Sequence, residues 1–181
     1  MKKSLLVAAI AVLGITGMNA QSSFGVTAGL SNFAVSIDPS GGIDPGSETG
    51  FYVGALADIG ISDAFHVQPA VTYAMTGDAS TLSVPIMAKY YVGDSGFNIQ
   101  AGPQINFLMG DYADLMESPL VPWGDDFSKL GIAVGAGLGY DISESIGVEA
   151  RYAFQVNNSY TGDGDGTIKH NILNVGAVYK F

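Results

Sequence analysis

Residues 146–156 read IGVEARYAFQV, and their pattern gives the clearest indication of the fold. Its apolar residues occupy every second position: Ile146, Val148, Ala150, Tyr152, Phe154 and Val156. The positions between them hold Gly147, Glu149, Arg151, Ala153 and Gln155. A period of two residues is the strand period. The stretch therefore predicts a β-strand with one apolar, uncharged face and one face that carries polar groups.

The same alternation recurs in seven further stretches, at residues 24–35, 50–60, 64–75, 81–92, 97–109, 129–140 and 168–181. A tilted strand needs about 9 to 11 residues to cross a bilayer, and each stretch is at least that long. Short connections alternate with the long segments 36–49, 110–128 and 157–167. Residues 76–80 are the exception, because this connection is short where the alternation would give a long one. Short turns at one end and long loops at the other are typical of outer-membrane barrels.

A soluble barrel would have the same period, so the chemistry of the two faces has to distinguish a soluble barrel from a membrane barrel. A soluble barrel hides its bulky side chains and exposes its charges. Here the bulky face carries no charge, whereas the other face mixes glycine, amides and isolated ions. After residue 20, no apolar run approaches the ~20 residues of a spanning helix. We therefore predict an all-β protein, an eight-stranded antiparallel up-and-down transmembrane β-barrel.

Residues 1–20 have the pattern of a secretory signal peptide, with Lys2 and Lys3 before an apolar run that ends in small and polar residues at Ala20. We predict that it is cleaved to leave a barrel domain of residues 21–181. Met18 is large for its position before the cleavage site, so a retained N-terminal anchor is the alternative. The 17 acidic and 7 scattered basic residues argue against nucleic-acid binding. The absence of cysteine excludes disulfides and thiolate metal ligands.

Four segments carry a family resemblance: LSVPIMAKYY at 82–91, AGPQINFLMG at 101–110, GAGLGYDISESIGVEARY at 135–152 and NVGAVYKF at 174–181. Over residues 24–181 the chain resembles the PorT-like and OmpX/OmpA-like outer-membrane β-barrel proteins. The resemblance implies an integral protein of the bacterial outer membrane, surrounded by lipid and without a defined enzymatic activity. It also implies that Tyr179 and Phe181 belong to the signal that the barrel-assembly machinery recognises.

The predicted strand directions put five ionisable residues on the inner face near the turns: Asp58, His66, Lys89, Glu149 and Arg151. An eight-stranded barrel is just wide enough for its own side chains to fill. Unpaired ions there would be costly, so we expect a hydrogen-bonded network that plugs the lumen. A gated ion path is the alternative. The inward glycines of residues 129–140 leave a trough, which we expect Tyr52 and Leu56 of the facing wall to fill, with a small-ligand slot as the alternative.

The predicted outer loops contain 11 of the 17 acidic residues: Asp38, Asp44, Glu48, Asp78, Asp111, Asp114, Glu117, Asp125, Asp126, Asp163 and Asp165. They predict an anionic rim that is solvated or that bridges divalent cations. Residues 161–167 read TGDGDGT but lack the acids of a calcium loop, so no metal site is predicted. Trp123 lies in the longest loop, where it either binds a surface ligand or lipid headgroups or folds over the mouth of its own barrel.

Three functions follow from these features, and none of them requires a cofactor. The leading hypothesis is a non-enzymatic barrel with a filled lumen, whose loops serve surface interaction or envelope integrity. The second is a narrow channel or a porin for ions or small solutes. The third is a lipid-modifying enzyme in which His170 meets Ser159 or Asp163, because a nucleophile needs an adjacent base. No motif supports this pairing, and we predict no catalytic residues.

Overall fold

The computed structural model describes residues 22–38, 46–118, 126–163 and 166–181, and these form one closed barrel of eight strands. The strands are β1 (Ser22–Asp38), β2 (Ser47–Gly60), β3 (Phe65–Thr76), β4 (Ala79–Tyr91), β5 (Phe97–Met109), β6 (Leu130–Asp141), β7 (Ile146–Gln155) and β8 (Thr167–Lys180). Each pairs antiparallel with the next, and β8 closes the barrel against β1. The predicted architecture is confirmed, while the predicted signal peptide lies outside the described residues.

The strands turn their apolar face outward, as the alternation predicts. In β7, Val148, Tyr152 and Phe154 are exposed on the outer surface, whereas Glu149 and Arg151 are buried in the lumen. Aromatic side chains lie on the same outer surface near both ends of the strands, where Phe and Tyr favour the membrane interface. Phe24, Phe65, Tyr90, Phe97, Tyr140, Tyr179, Phe181, Phe51, Tyr73 and Phe154 are exposed, and Phe107 is half-buried. In the part of the chain that is described, no helix is long and apolar enough to cross a membrane.

The two ends of the barrel differ. The connections 61–64, 92–96 and 142–145 are tight and lie at one end, together with both ends of the barrel domain, where the Phe181 backbone N–H donates to the Phe24 carbonyl at 2.8 Å. We call this the turn end. The opposite, loop end carries the other connections, of which that between β3 and β4 has only residues 77–78. Among its described residues is one short helix, α1 (Asp111–Met116), which lies in a segment predicted as loop.

An apolar cluster packs inside the loop end of the barrel. It consists of Phe33, Ala79, Leu108, Ala113, Phe127, Ile168 and Ile172, with Val35, Tyr112, Met116 and Tyr160 packed against it. We call it the mouth cluster. An isolated bridge between Phe127 and Tyr160 joins the two long loops at this cluster. Helix α1 contributes Ala113, whose side chain is fully buried, so the helix lies against the mouth of the barrel.

The glycine trough of β6 is filled from its own side of the barrel, so the expectation for Tyr52 and Leu56 is wrong. The side-chain atoms nearest to the glycine positions belong to Met87 at Gly135, to Asn98 and Gln100 at Gly139, and to Arg151 at Gly137. The Tyr52 hydroxyl lies instead beside Gly176 and hydrogen-bonds Thr27. Strands that tilt within a barrel bring together side chains from different levels, so the wall directly opposite does not supply the filling.

Candidate functional site in the barrel lumen

Asp58 is the centre of the first group of ions at the turn end. Its Oδ1 lies 2.6 Å from His66 Nδ1, and its Oδ2 accepts a hydrogen bond from Lys89 Nζ at 3.0 Å. Asp58 and Lys89 are buried, while His66 is partly exposed. Three of the sequence-predicted residues thus form one contact group on three successive strands, β2, β3 and β4.

Arg151 organises the second group, whose Gln100 is the register partner of Lys89 in the β4–β5 ladder. Its Nη2 donates to Glu149 Oε2 at 2.7 Å, and its Nε donates to Gln100 Oε1 at 2.7 Å. Gln100 in turn donates through Nε2 to Asn98 Oδ1 at 2.8 Å. All four side chains are buried, so each ion or amide is paired where water is scarce.

A third group was missed by the sequence analysis. Asp141 Oδ2 accepts hydrogen bonds from Tyr91 Oη and from Lys180 Nζ, each at 2.8 Å. The Tyr91 ring also lies 4.8 Å from the His66 ring and 5.2 Å from Lys89 Nζ, so it connects this group to the first. Strand parity was the available signal, because Tyr91 and Lys180 alternate with outward residues. Asp141 directly follows the predicted strand at residues 129–140, so the alternation places it on neither face.

The three groups balance in charge. Within the described lumen, three carboxylates face three cations, so the formal sum is 3 − 3 = 0 with His66 neutral. They are Asp58, Asp141 and Glu149, and Lys89, Arg151 and Lys180. Buried ions without partners are strongly unfavourable, and in this pairing each buried charge has a partner of opposite sign.

The loop end of the lumen contains a different set of polar contacts around His170. Its Nδ1 lies 3.3 Å from Ser159 Oγ and 3.3 Å from Gln155 Oε1. The ring stacks on Phe33 with 5.3 Å between centroids, and Tyr112 and Phe127 meet it edge-on. The sequence-predicted meeting of His170 with Ser159 is therefore present, but it lies beneath the mouth cluster.

Lys129 holds helix α1 to the base of the long loop. Its Nζ lies 3.0 Å from Asp114 Oδ1 and 2.9 Å from Glu117 Oε2. Hydrogen bonds to Glu117 and Asp114 raise the pKa of the Lys129 ammonium above its ordinary value. On the same helix, burial raises the pKa of the Tyr112 hydroxyl. The helix thus combines a buried apolar face with an exposed ionic tether.

Acidic side chains dominate the described loop end outside the lumen. The exposed ones are Glu48, Asp78, Asp111, Asp114, Glu117 and Asp163, and Asp126 is half-buried. The basic residues of this region are Lys129, which is paired, and Lys169. Among the described side chains, no group of three His, Asp or Glu residues is placed to hold a metal ion. Trp123, Asp44, Asp125 and Asp165 lie outside the described residues.

Tyr179 and Phe181, the predicted assembly signal, project from the outer surface at the turn end. Their ring centroids are 5.6 Å apart in an edge-to-face arrangement, and 75% of Phe181 is exposed. Both rings are accessible from the lipid side.

Comparison with known proteins agrees with this architecture. The family described as outer membrane protein beta-barrel domain matches residues 5–181. Neisserial surface protein A shares the fold with a TM-score of 0.55 and 19% identity, over 88% of this chain and 99% of that chain. Ail, the attachment invasion locus protein of Yersinia pestis, has a TM-score of 0.51 and 13% identity, over 88% and 99%. No curated protein matches the sequence.

Proposed function

The chain belongs to the outer membrane protein beta-barrel domain family, and on that premise we propose that it is a non-enzymatic barrel with a closed lumen and a surface role. It is an integral protein of the outer membrane, in contact with lipid. The loops at its anionic end would contact a partner at the cell surface or contribute to envelope integrity. The barrel-assembly machinery would insert it through the signal at Tyr179 and Phe181.

The closure at both ends of the lumen carries this proposal. At the turn end, the ion pairs of Asp58, Arg151 and Asp141 lie inside the barrel and are held by hydrogen bonds. At the loop end, the mouth cluster packs apolar side chains against α1. An ion entering from either end would have to break buried charge pairs or displace packed aromatic rings, and both steps are costly.

Electrical recording on the purified barrel in a planar bilayer tests the closure. We expect no steady openings, because the buried ion pairs and the mouth cluster would obstruct the path of an ion. Glu149→Gln and Lys89→Met probe the alternative of a gated ion path, since a channel lined by these ions would change its ion selectivity in both variants. Steady wild-type currents whose selectivity follows these substitutions would contradict the closed lumen and establish the channel.

The distribution of charge supports the surface role. The described cations are mostly used in internal pairs, so the acidic residues of the loops face the outside with little compensation. Such a surface attracts basic partners, or divalent cations that bridge it to anionic lipid headgroups. Long-range attraction of this kind weakens as the ionic strength rises.

Neutralising the exposed acids tests the surface role. We propose a variant with Glu48→Gln, Asp78→Asn, Asp111→Asn and Asp163→Asn, all of which are exposed side chains. Cells that lack the protein should bind less basic protein, or admit more of a normally excluded detergent, than cells with the wild type. The neutralised variant should not restore the wild-type level at equal surface abundance. Full restoration would contradict a role for loop charge.

The contact between Ser159 and His170 keeps a lipid-modifying enzyme as a second candidate. A Ser–His pair normally needs a third group that orients the base. The further described partner of His170 is Gln155, a neutral amide, and His170 itself is only 6% exposed. We therefore expect no turnover of labelled phospholipid by the wild type. Turnover that is lost in His170→Ala would overturn the non-enzymatic assignment.

A further inference from the structure

A small cavity lies beneath the mouth cluster and is lined by both polar and apolar side chains. Its volume is about 10 Å³, and its polar lining includes Asn106, His170, Gln155, Ser159, Thr81 and Lys129. One water molecule needs roughly 10 to 15 Å³ of such space and two to four polar partners. The cavity is therefore of the size that holds a single water and little else.

Two polar atoms in this lining have no hydrogen-bond partner among the residues that the structure describes. They are Asn106 Nδ2 and His170 Nε2, and both are buried. The remaining polar atoms of these side chains are occupied, since Asn106 Oδ1 accepts from Ser83 Oγ and from Gln104 Nε2, each at 2.7 Å. Leaving a buried donor or acceptor unpaired costs about 1 to 3 kcal/mol.

Two oxygens lie 3.3 Å from His170 Nδ1: Gln155 Oε1, which is an acceptor only, and the Ser159 hydroxyl, which can donate or accept. A hydrogen on Nδ1 satisfies Gln155 Oε1, whereas an unprotonated Nδ1 would place two lone pairs opposite each other there. We therefore assign the hydrogen to Nδ1, which leaves Nε2 as an acceptor. Asn106 Nδ2 is a donor only. A donor and an acceptor that line one cavity of this size need a molecule that both accepts and donates.

We propose that this cavity binds one water molecule, which accepts a hydrogen bond from Asn106 Nδ2 and donates one to His170 Nε2. The water joins β5 to β8 below the mouth cluster and fixes the imidazole in its Nδ1–H form. This inference does not rest on the proposed surface role, because it concerns only the interior of the barrel. Its failure and the failure of the proposed function are therefore separate results.

Nuclear magnetic resonance of the ¹⁵N-labelled barrel in lipid nanodiscs tests the proposal on the wild type. We expect the His170 ring nitrogens to report a neutral Nδ1–H imidazole with a hydrogen-bonded Nε2. We also expect cross-relaxation between a long-lived water and the side-chain amide protons of Asn106. A protonated Nε2 in the neutral ring, or the absence of a long-lived water beside Asn106, would overturn the proposal.

Two substitutions at neighbouring positions separate the water from the rest of the hydrogen-bond network. Asn106→Leu removes the donor at similar volume, and we expect loss of the water signal and a change in the Nε2 shift of His170. Ser83→Ala removes one bond to Asn106 Oδ1 but keeps Nδ2, so both signals should persist. If the Asn106→Leu variant fails to fold, the wild-type spectra still show whether the water and the Nδ1–H form of His170 are present. Unchanged His170 shifts in a folded Asn106→Leu barrel would contradict the bridging water.

Discussion

Lys89 on β4 donates a hydrogen bond to Asp58 on β2 at 3.0 Å, across the intervening strand β3. Strands β2 and β4 share no backbone hydrogen bonds, so this side-chain hydrogen bond links them across the inner face of β3. His66 projects from β3 and contacts the same carboxylate. One buried anion thus connects three strands near the turn end.

Lys89→Met is expected to lower the free energy of unfolding by about 3 kcal/mol, because it leaves the Asp58 carboxylate buried with His66 alone. Urea titration in lipid vesicles, read by the heat-dependent migration of the barrel on gels, measures the change. The double variant Asp58→Asn with Lys89→Met should recover most of the loss, since no unpaired ion remains.

Lys169→Met is the matched control for this substitution. Lys169 lies on β8 between two inward, buried positions, so its side chain faces away from the lumen. We expect a change in unfolding free energy within about 0.5 kcal/mol. If the double variant Asp58→Asn with Lys89→Met is as unstable as Lys89→Met alone, an uncompensated Asp58 charge does not explain the loss of stability.

Gly139→Ala tests how tightly the amides pack against β6. An added methyl would lie 2.6 Å from Asn98 Oδ1 and 2.7 Å from Gln100 Nε2, and Gln100 also holds Arg151. Displacing this chain leaves buried polar groups unpaired, and we expect a loss of about 2 kcal/mol in unfolding free energy. At Gly135, a methyl would meet the flexible end of Met87 at 3.4 Å, so Gly135→Ala should cost clearly less. Equal losses of unfolding free energy in Gly139→Ala and Gly135→Ala would show that the side chains of Asn98 and Gln100 move aside at little cost.

Strand parity explains why the inward residues could be predicted while their partners could not. Period-two alternation fixes the face on which Glu149 or Arg151 lies, because a shift of one residue would turn every apolar side chain inward. Partner choice depends on the tilt and stagger of the closed barrel, which no single strand encodes. For that reason Asp58 pairs with a residue two strands away, and Tyr52 does not reach the glycine trough.

The loop end shows a second limit of sequence analysis. Helix α1 has six residues, too few for an apolar period to distinguish it from a loop. Its position depends on contacts made after the barrel closes, such as the packing of Tyr112 against Phe33 with 6.1 Å between ring centroids. A histidine near a serine was visible in the sequence, whereas the aromatic rings that enclose His170 come from three other segments.

Lys129→Met is expected to loosen α1 without unfolding the barrel. The pairs with Asp114 and Glu117 are partly exposed, so their combined contribution is about 0.5 kcal/mol. The raised pKa of Lys129 means that this contribution is present below the ordinary value of 10.5 and is lost as the pH rises through the raised value. Limited proteolysis of residues 111–118, compared between wild type and variant, measures the loosening.

The pH dependence of proteolysis tests whether the charge of Lys129 holds helix α1. Wild type should be cleaved more slowly than Lys129→Met at neutral pH, and the two rates should converge once the ammonium has lost its proton. High salt should also reduce the difference in cleavage rate between wild type and Lys129→Met, because it screens the ion pairs. A difference that persists with a deprotonated Lys129 would mean that packing of the lysine stem, and not its charge, holds the helix.

Phe181→Ala is expected to reduce the amount of assembled barrel in cells more than it reduces the stability of the refolded protein. Phe181 is 75% exposed and has Tyr179 as its aromatic neighbour, so its removal disturbs little internal packing. Phe51→Ala is the matched control, since Phe51 is 67% exposed at the opposite end and also faces lipid. Both variants lose similar apolar contact with lipid, and their unfolding free energies should fall by similar amounts. If the assembly machinery recognises the C-terminal aromatic residues, only Phe181→Ala should leave unfolded protein behind in cells. Equal assembled levels of the two variants would assign Phe181 to lipid contact alone.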